Sequence, residues 1–358
     1  MQRDAGAPTP RTPLDRGAPL AVRLYEPGDE DALVEIFSAT FHQRSLTEWN
    51  WLFGRIDGGP AQVDVRVLTS GDRVVGSVSH VGTDAWVAGR RLRLAMGADM
   101  IVIPECRGRG GAEALVTSFL ASDHGFDMNF GVVNSGSRHV TKRYMGTRVV
   151  GFVPVWTRAG RAGAASHTGR TRRLGDRLRR AYASLAARPR PRLPVVDLVA
   201  PDAAVDALAG DSARFATAIR VRDARYLQWH WLNDPRTQWR IRAVWGEPGV
   251  LRGYAVSATR DEDGVRHGVI ADVLARDGRA LRALVLDAWE RLAADGAETV
   301  VCRYRDPRPW ARIAMLRAGF TRTLRPGPRI ACGPLSDRAG ELVSRRRSWY
   351  LTTADTDL

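Results

Sequence analysis

The chain has 358 residues, 44% hydrophobic and 26% charged, with a formal net charge of +15. That length suits two domains with a core each, and no apolar run of about 18 residues is present to cross a membrane. The three cysteines, Cys106, Cys302 and Cys332, are far apart and odd in number, which argues against a disulfide framework and offers no zinc spacing.

A basic balance points toward nucleic acid, but the charge is unevenly spread. Lys142 is the only lysine, so the excess is arginine and looks as much like coding bias as a selected surface. Ten of the +15 charges come from Arg158 to Arg192, where eleven arginines face the single Asp176. The remainder is mildly basic.

Residues 1–20 carry Pro, Gly and charge without the apolar stretch of a secretory signal, and read as a flexible tail of a cytoplasmic protein. A first folded unit starts near Val22. Asp29 to Phe41 places Leu33, Ile36 and Phe37 at helical spacing, with acids at the start where the helix dipole favours them. Trp49, Trp51, Leu52 and Phe53 read as a packed helix or turn. From Val63 the sequence alternates through VDVRVLTS and RVVGSVSHV around Gly71–Asp72, a hairpin pattern. A second turn at Ala88–Gly89 leads into a strand from Arg91 to Ile103. The Gly-rich break RGRGG, an apolar helix AEALVTSFLASD and a short strand DMNFGVV follow.

From Thr157 to Pro194 the composition shifts to Arg, Ala, Gly and Pro. Leu174, Leu178, Tyr182 and Leu185 there suit one face of an amphipathic, basic helix in a linker. A second unit, from near Val195, repeats the order of the first in pattern more than identity. IRAVWG, a turn at Glu247–Pro248–Gly249, LRGYAVSAT, a turn at Glu262–Asp263–Gly264 and RHGVIADVLA precede the helix ALRALVLDAWERLAADG and the strand ETVVCRY.

The chemistry is carried by MIVIPECRGRGGAEALV, Met100 to Val116. A strand enters a loop with Gly108, Gly110 and Gly111 and passes directly into a helix. Backbone N–H groups of such a loop face one anion, and the helix N-terminus adds partial positive charge. Glycine lets the backbone approach phosphate closely, and Arg107 and Arg109 add side-chain contacts. The spacing is neither that of a Walker loop nor GxGxxG.

Arg107-Gly108-Arg109-Gly110-Gly111-Ala112 fits the Arg/Gln-x-x-Gly-x-Gly/Ala signature, and the chain resembles the GNAT acetyltransferase superfamily over most of residues 22 to 157. The second half, notably DARYLQWHW, RGYAV and MLRAGF, is similar to a second GNAT domain, as in tandem-GNAT proteins of actinobacteria. The resemblance implies an α/β (α+β) fold of two GNAT-like domains, each a mixed, mostly antiparallel sheet flanked by helices. The expected division is a tail at 1–20, an acyl-CoA-binding domain at 21–157, an Arg-rich linker at 158–194, a degenerate GNAT-like domain at 195–334 and a C-terminal segment at 335–358. The second domain is degenerate because its stretch LARDGRALRALV keeps only Gly278 in the loop.

The resemblance also implies acetyl-CoA as donor substrate, held by Arg107 to Ala112, by the strand residues Ile101, Val102 and Ile103, and by Asn134. Backbone N–H groups from Met100 to Val102 would polarise the thioester carbonyl. Asp99 stands where many members carry an acid near the acceptor. A carboxylate partly buried there would have a raised pKa and act as base. The family's general acid, a tyrosine four residues before Gly146, is replaced by Lys142, which leaves Tyr144 as the candidate. No metal is expected: the histidines show no ligand spacing, and Asp355-x-Asp357 reads as a terminal tail. The five residues Trp49, Trp51, Trp229, Trp231 and Trp310 serve mainly in packing, with a sugar-binding cleft as the other use.

The expected function is transfer of an acetyl group to a primary amine of a small molecule, such as an amino sugar or a natural-product intermediate. Two alternatives keep the fold. One is a Fem-type transferase using aminoacyl-tRNA, with the basic linker on tRNA phosphates. The other is a non-catalytic regulator that binds CoA or nucleic acid.

Overall fold

The computed structural model describes residues 17–54, 62–133, 135–160, 193–324, 327–337, 339–340 and 348–356. Most of the expected basic linker, and Asn134, lie outside them. The first half runs β1 (Leu20–Leu24), α1 (Glu30–Thr40), α2 (Leu46–Phe53), β2 (Val63–Ser70), β3 (Arg73–Val87), β4 (Arg90–Val102), α3 (Gly111–Leu120), β5 (Met128–Val132), α4 (Ser135–Met145), β6 (Arg148–Phe152) and β7 (Val155–Ala159). The second half runs β8 (Val195–Asp197), α5 (Ala203–Asp211), β9 (Ala218–Arg220), α6 (Ala224–Leu227), β10 (Arg240–Trp245), β11 (Leu251–Glu262), β12 (Val265–Ala275), α7 (Gly278–Ala294), β13 (Thr299–Arg305), α8 (Pro309–Arg317), β14 (Thr321–Arg322), β15 (Arg329–Pro334) and β16 (Leu351–Thr352).

The hairpins form where turn residues permit. Ala88 and Gly89 have φ of 52° and 75°, and Asp263 and Gly264 have 51° and 76°. Both pairs make the left-handed two-residue turn whose twist matches antiparallel strands. Helix α2 is fixed at its start by a capping box between Ser45 and Glu48.

Two sheets of eight strands result, in the orders β1-β2-β3-β4-β5-β15-β6, with β9 on β3, and β14-β7-β13-β12-β11-β10-β8, with β16 on β13. Chain order does not sort the strands. β7 leaves the first half to pair with β13, while β15 returns from the second half to lie between β5 and β6. β9 adds a further strand of the second half to β3. The halves therefore share backbone hydrogen bonds as well as a core.

Tryptophans seal the joint. Trp51 on α2 donates to the Trp229 carbonyl at 2.9 Å, Trp229 donates back to that of Trp51 at 3.0 Å, and their rings stack at 5.9 Å. Trp49 and Trp231 are buried beside them. Replacing such a ring by alanine costs about 3–5 kcal/mol.

Candidate active site

The loop after β4 is shaped by its glycines. Pro104 to Cys106 form one 3₁₀ turn, after which Gly108 and Gly110 adopt φ of 77° and 82°. Gly110 is the N-cap of α3, and no side chain caps that end. The first N–H to bond back is that of Ala114, to the Gly110 carbonyl at 2.9 Å. Those of Gly111, Ala112 and Glu113 thus precede the helical ladder at the positive end of the dipole. Gly111 serves packing instead: an added Cβ would stand 2.6 Å from Leu68 Cδ2, so its absence lets α3 settle on β2. Arg107 donates to the Val102 carbonyl at 3.0 Å and Arg109 to that of Ala18 at 2.7 Å. The two arginines flank an open anion cradle.

Beside this loop the sheet splays. β4 and β5 pair in parallel only from Leu94 to Met96, opposite Met128 to Phe130. Beyond that point β4 stays with β3 through Val102, past a bulge at the Ser79–His80 step. Ile101 is buried and Val102 half-buried on this run, and Ile103 continues the backbone bonding to Val75. The gap opens as a cleft of about 320 Å³ whose walls include Phe41, His42, Arg44, Asp99, Ser137 and Thr141.

Asp99 is 9% exposed and its carboxylate is gripped by Arg44, with Nη1 to Oδ2 at 2.5 Å and Nη2 to Oδ1 at 3.4 Å. Arg44 is itself held by the Phe37 ring, 3.3 Å from its guanidinium carbon. Burial pushes the Asp99 carboxyl above the usual carboxylate range, against the opposing pull of Arg44 and His42. The cleft thus holds a carboxylate of raised basicity with a guanidinium fixing its direction.

Tyr144 does not line this cleft. Its hydroxyl bonds Glu113 on α3, which raises its pKa, and Arg143 lies over its ring at 5.3 Å. The α4 positions that face the cleft are Ser137, Thr141 and Met145, spaced one turn apart.

The C-terminal segment, read from sequence as a mere tail, is part of the wall: Asp355 and Thr356 line the same cleft. Trp349 stacks on Phe130 at 5.3 Å, β16 pairs with β13, and Tyr350 bonds the Val273 carbonyl. Asp355, 0% exposed, meets Arg222 Nη2 at 2.5 Å, and Arg222 Nε meets Asp272 at 3.1 Å. Thr352 donates to Asp272 at 2.9 Å. Burial works against the Arg222 guanidinium, but Asp272 and Asp355 together hold its pKa well above the usual value. Sequence spacing could not reveal this network, because its members are about 50 to 130 residues apart.

The second sheet contains the same splay, differently used. β12 and β13 pair in parallel from His267 to Ile270 and then part. Here β16 occupies β13, and Tyr350 reaches back to β12. The N-terminus of α7 is also taken, since the Asp277 carboxylate accepts from the Arg279 and Ala280 N–H groups and pairs with Arg252 at 2.6 Å.

Among the described residues no three His, Cys, Asp or Glu side chains gather as metal ligands, and no helix is long and apolar enough to cross a membrane. The family model described as an acetyltransferase (GNAT) domain matches residues 21–131. No curated protein sequence matches significantly. Among solved structures, the chain resembles a GCN5-related N-acetyltransferase from Anabaena variabilis, at 15% identity and a TM-score of 0.61, over 89% of this chain and 73% of that one. A probable N-acyltransferase from Enterococcus faecalis gives 11% identity and a TM-score of 0.62, over 90% and 74%. The N-myristoyltransferase of Saccharomyces cerevisiae, solved with myristoyl-CoA, gives 8% identity and a TM-score of 0.57, over 91% and 85%. The chain thus carries a GNAT acetyltransferase domain at residues 21–131 and has the overall fold of GNAT-type acyltransferases.

Proposed function

We propose that the protein moves an acetyl group from acetyl-CoA to the primary amine of a small molecule, such as an amino sugar or a natural-product intermediate. The observation that carries this reading is the parting of β4 from β5 beyond Met96, which opens a cleft at Asp99 on the same strand that runs on into the uncapped N-terminus of α3. The loop from Arg107 to Ala112 receives the pyrophosphate of CoA, and Ile101, Val102 and Ile103 form the strand edge along which the acyl arm lies. The expected donor domain at 21–157 supplies this loop and cleft, although its sheet is completed by β9 and β15 of the second half and β7 leaves it for the other sheet.

In this reading Asp99 accepts the proton that the ammonium group must lose. The freed amine attacks the thioester carbonyl, the C–S bond breaks, and the leaving CoA thiolate takes the second proton that the nitrogen loses as the amide forms. N–H groups of the splayed strand stabilise the oxyanion. Arg44 is a positioning residue: it fixes the Asp99 oxygens and keeps their charge paired in a buried site. The second half closes the acceptor side of the cleft by holding the Asp355 segment in place.

The test is acyl transfer from acetyl-CoA to a panel of amino sugars and other amines, followed by mass spectrometry. Appearance of an acetylated amine, lost in Asp99→Asn, supports the assignment. Tight CoA binding with no transfer to any amine would leave a CoA-binding protein and defeat the enzymatic reading.

A further inference from the structure

A second concavity, of about 500 Å³, opens where β6, β7, the end of β13 and α8 meet. Its lining includes the apolar Phe152 and Trp156 and the three arginines Arg305, Arg312 and Arg322. None of the residues lining it lines the acyl-transfer cleft.

Its charge is unbalanced. Elsewhere in the second half, Arg222, Arg242, Arg252, Arg276 and Arg291 each have an aspartate at ion-pair distance. Among the described residues, Arg305, Arg312 and Arg322 have no such partner. The one acid in the wall, Asp306, is already engaged: Arg308 Nη2 lies 2.7 Å away and the Tyr304 hydroxyl donates to it at 2.8 Å. The cleft is therefore not a solvated face with alternating signs.

It is also built. The Arg305 guanidinium lies directly over Gly151 of β6, where a Cβ would meet its Nη1 and turn the side chain aside. Arg305 is half-buried, and burial together with the neighbouring Arg322 pushes its pKa below the usual value. Holding like charges together at a partly dry site is unfavourable unless an oxyanion neutralises them. Guanidinium forks match phosphate oxygens two at a time. The volume lies within the range of roughly 300–1,000 Å³ typical of small-molecule pockets, larger than a bare phosphate requires.

We propose that this cleft binds a phosphorylated small molecule, with Arg305, Arg312 and Arg322 around the phosphoryl group and Phe152 against the body of the ligand. The concave form favours a compact anion over a nucleic acid, which would need a basic strip running along many phosphates.

Pyrophosphate is a suitable probe, titrated calorimetrically into the full chain carrying Gly110→Asp, which disables the other phosphate-binding loop. A single site per chain is expected, weakened about tenfold or more by adding Arg322→Gln and further by adding Arg305→Gln. Arg322 is exposed, so its replacement leaves the fold intact, and an unchanged melting temperature checks this. Absence of binding overturns the proposal, as does binding that survives both arginine changes. An RNA oligonucleotide binding more tightly than pyrophosphate, with a steep loss in salt, also overturns it in favour of an extended polyanion surface. Because the donor loop is disabled throughout, failure here is separate from any failure of acetyl-CoA to bind the unmodified protein.

Discussion

The two sheets share a plan and differ at the two points where a donor would be held. In the first, α3 begins at an uncapped glycine, Gly110, and the strands beside it part around an open cleft. In the second, α7 begins at Asp277, whose carboxylate already fills the anion position, and the parting strands receive the chain's own C-terminal segment. A helix N-terminus that keeps its N–H groups free can take a phosphate, whereas one satisfied by an internal carboxylate repels it. The same architecture thus leaves an open helix N-terminus and cleft in one half, the proposed donor site, and a closed structural site in the other. The closed half still contributes, since the segment it grips ends in the wall of the open cleft.

The largest expected effect tests that grip. Arg222→Met leaves Asp272 buried without its cation and Asp355 with only Arg220, 3.5 Å away, and removing one partner of such a network costs about 3–5 kcal/mol. Thermal or urea unfolding should show that loss. A near-neutral result would mean that the C-terminal segment is not held as described. Next comes Gly110→Asp, which puts charge and a Cβ at a φ of 82° in the open cradle. Affinity for CoA should fall about 100-fold or more, some 3 kcal/mol.

A third contrast concerns Asp99. Its pKa is raised by burial and drawn down by Arg44, so if Asp99 is the proposed base it acts above a pH higher than the usual carboxylate range. The acidic limb of kcat/KM should lie there, with activity rising as pH increases. Arg44→Met removes the lowering influence and should move the limb further up in pH. A limb that stays in place would assign the proton transfer to another group. The smallest effect is at the capped helix: Asp277→Ala should cost about 1 kcal/mol of stability and leave CoA affinity in the first half unchanged.

The strand–loop–helix form of the Arg107 to Ala112 stretch was legible because its signal is local: three glycines between a strand and a helix, with two arginines among them. The turns at Ala88–Gly89 and Asp263–Gly264 were legible for the same reason, each marking a hairpin that forms there. Strand exchange was not. β7 and β15 look like ordinary short strands, and nothing in their own residues names a partner in the other sheet. Asp99 could be picked out by its place on β4, yet its pairing with Arg44 spans 55 residues and depends on how α1 and α2 fold over the sheet. Asp355 was passed over because no apolar strand was read ahead of it in the terminal stretch. The apolar SWYLTT just before it was the available sign that this end is buried. Tyr144 was taken as the tyrosine nearest the expected position, which Lys142 occupies, but α4 turns it toward Glu113 and faces the cleft with Ser137 and Thr141.

The difference between the two halves is tested most directly by calorimetric titration of acetyl-CoA into the full chain. One site per chain is predicted, lost in Gly110→Asp and retained in Asp277→Ala. Two sites per chain, or a single site that survives Gly110→Asp, would contradict the account.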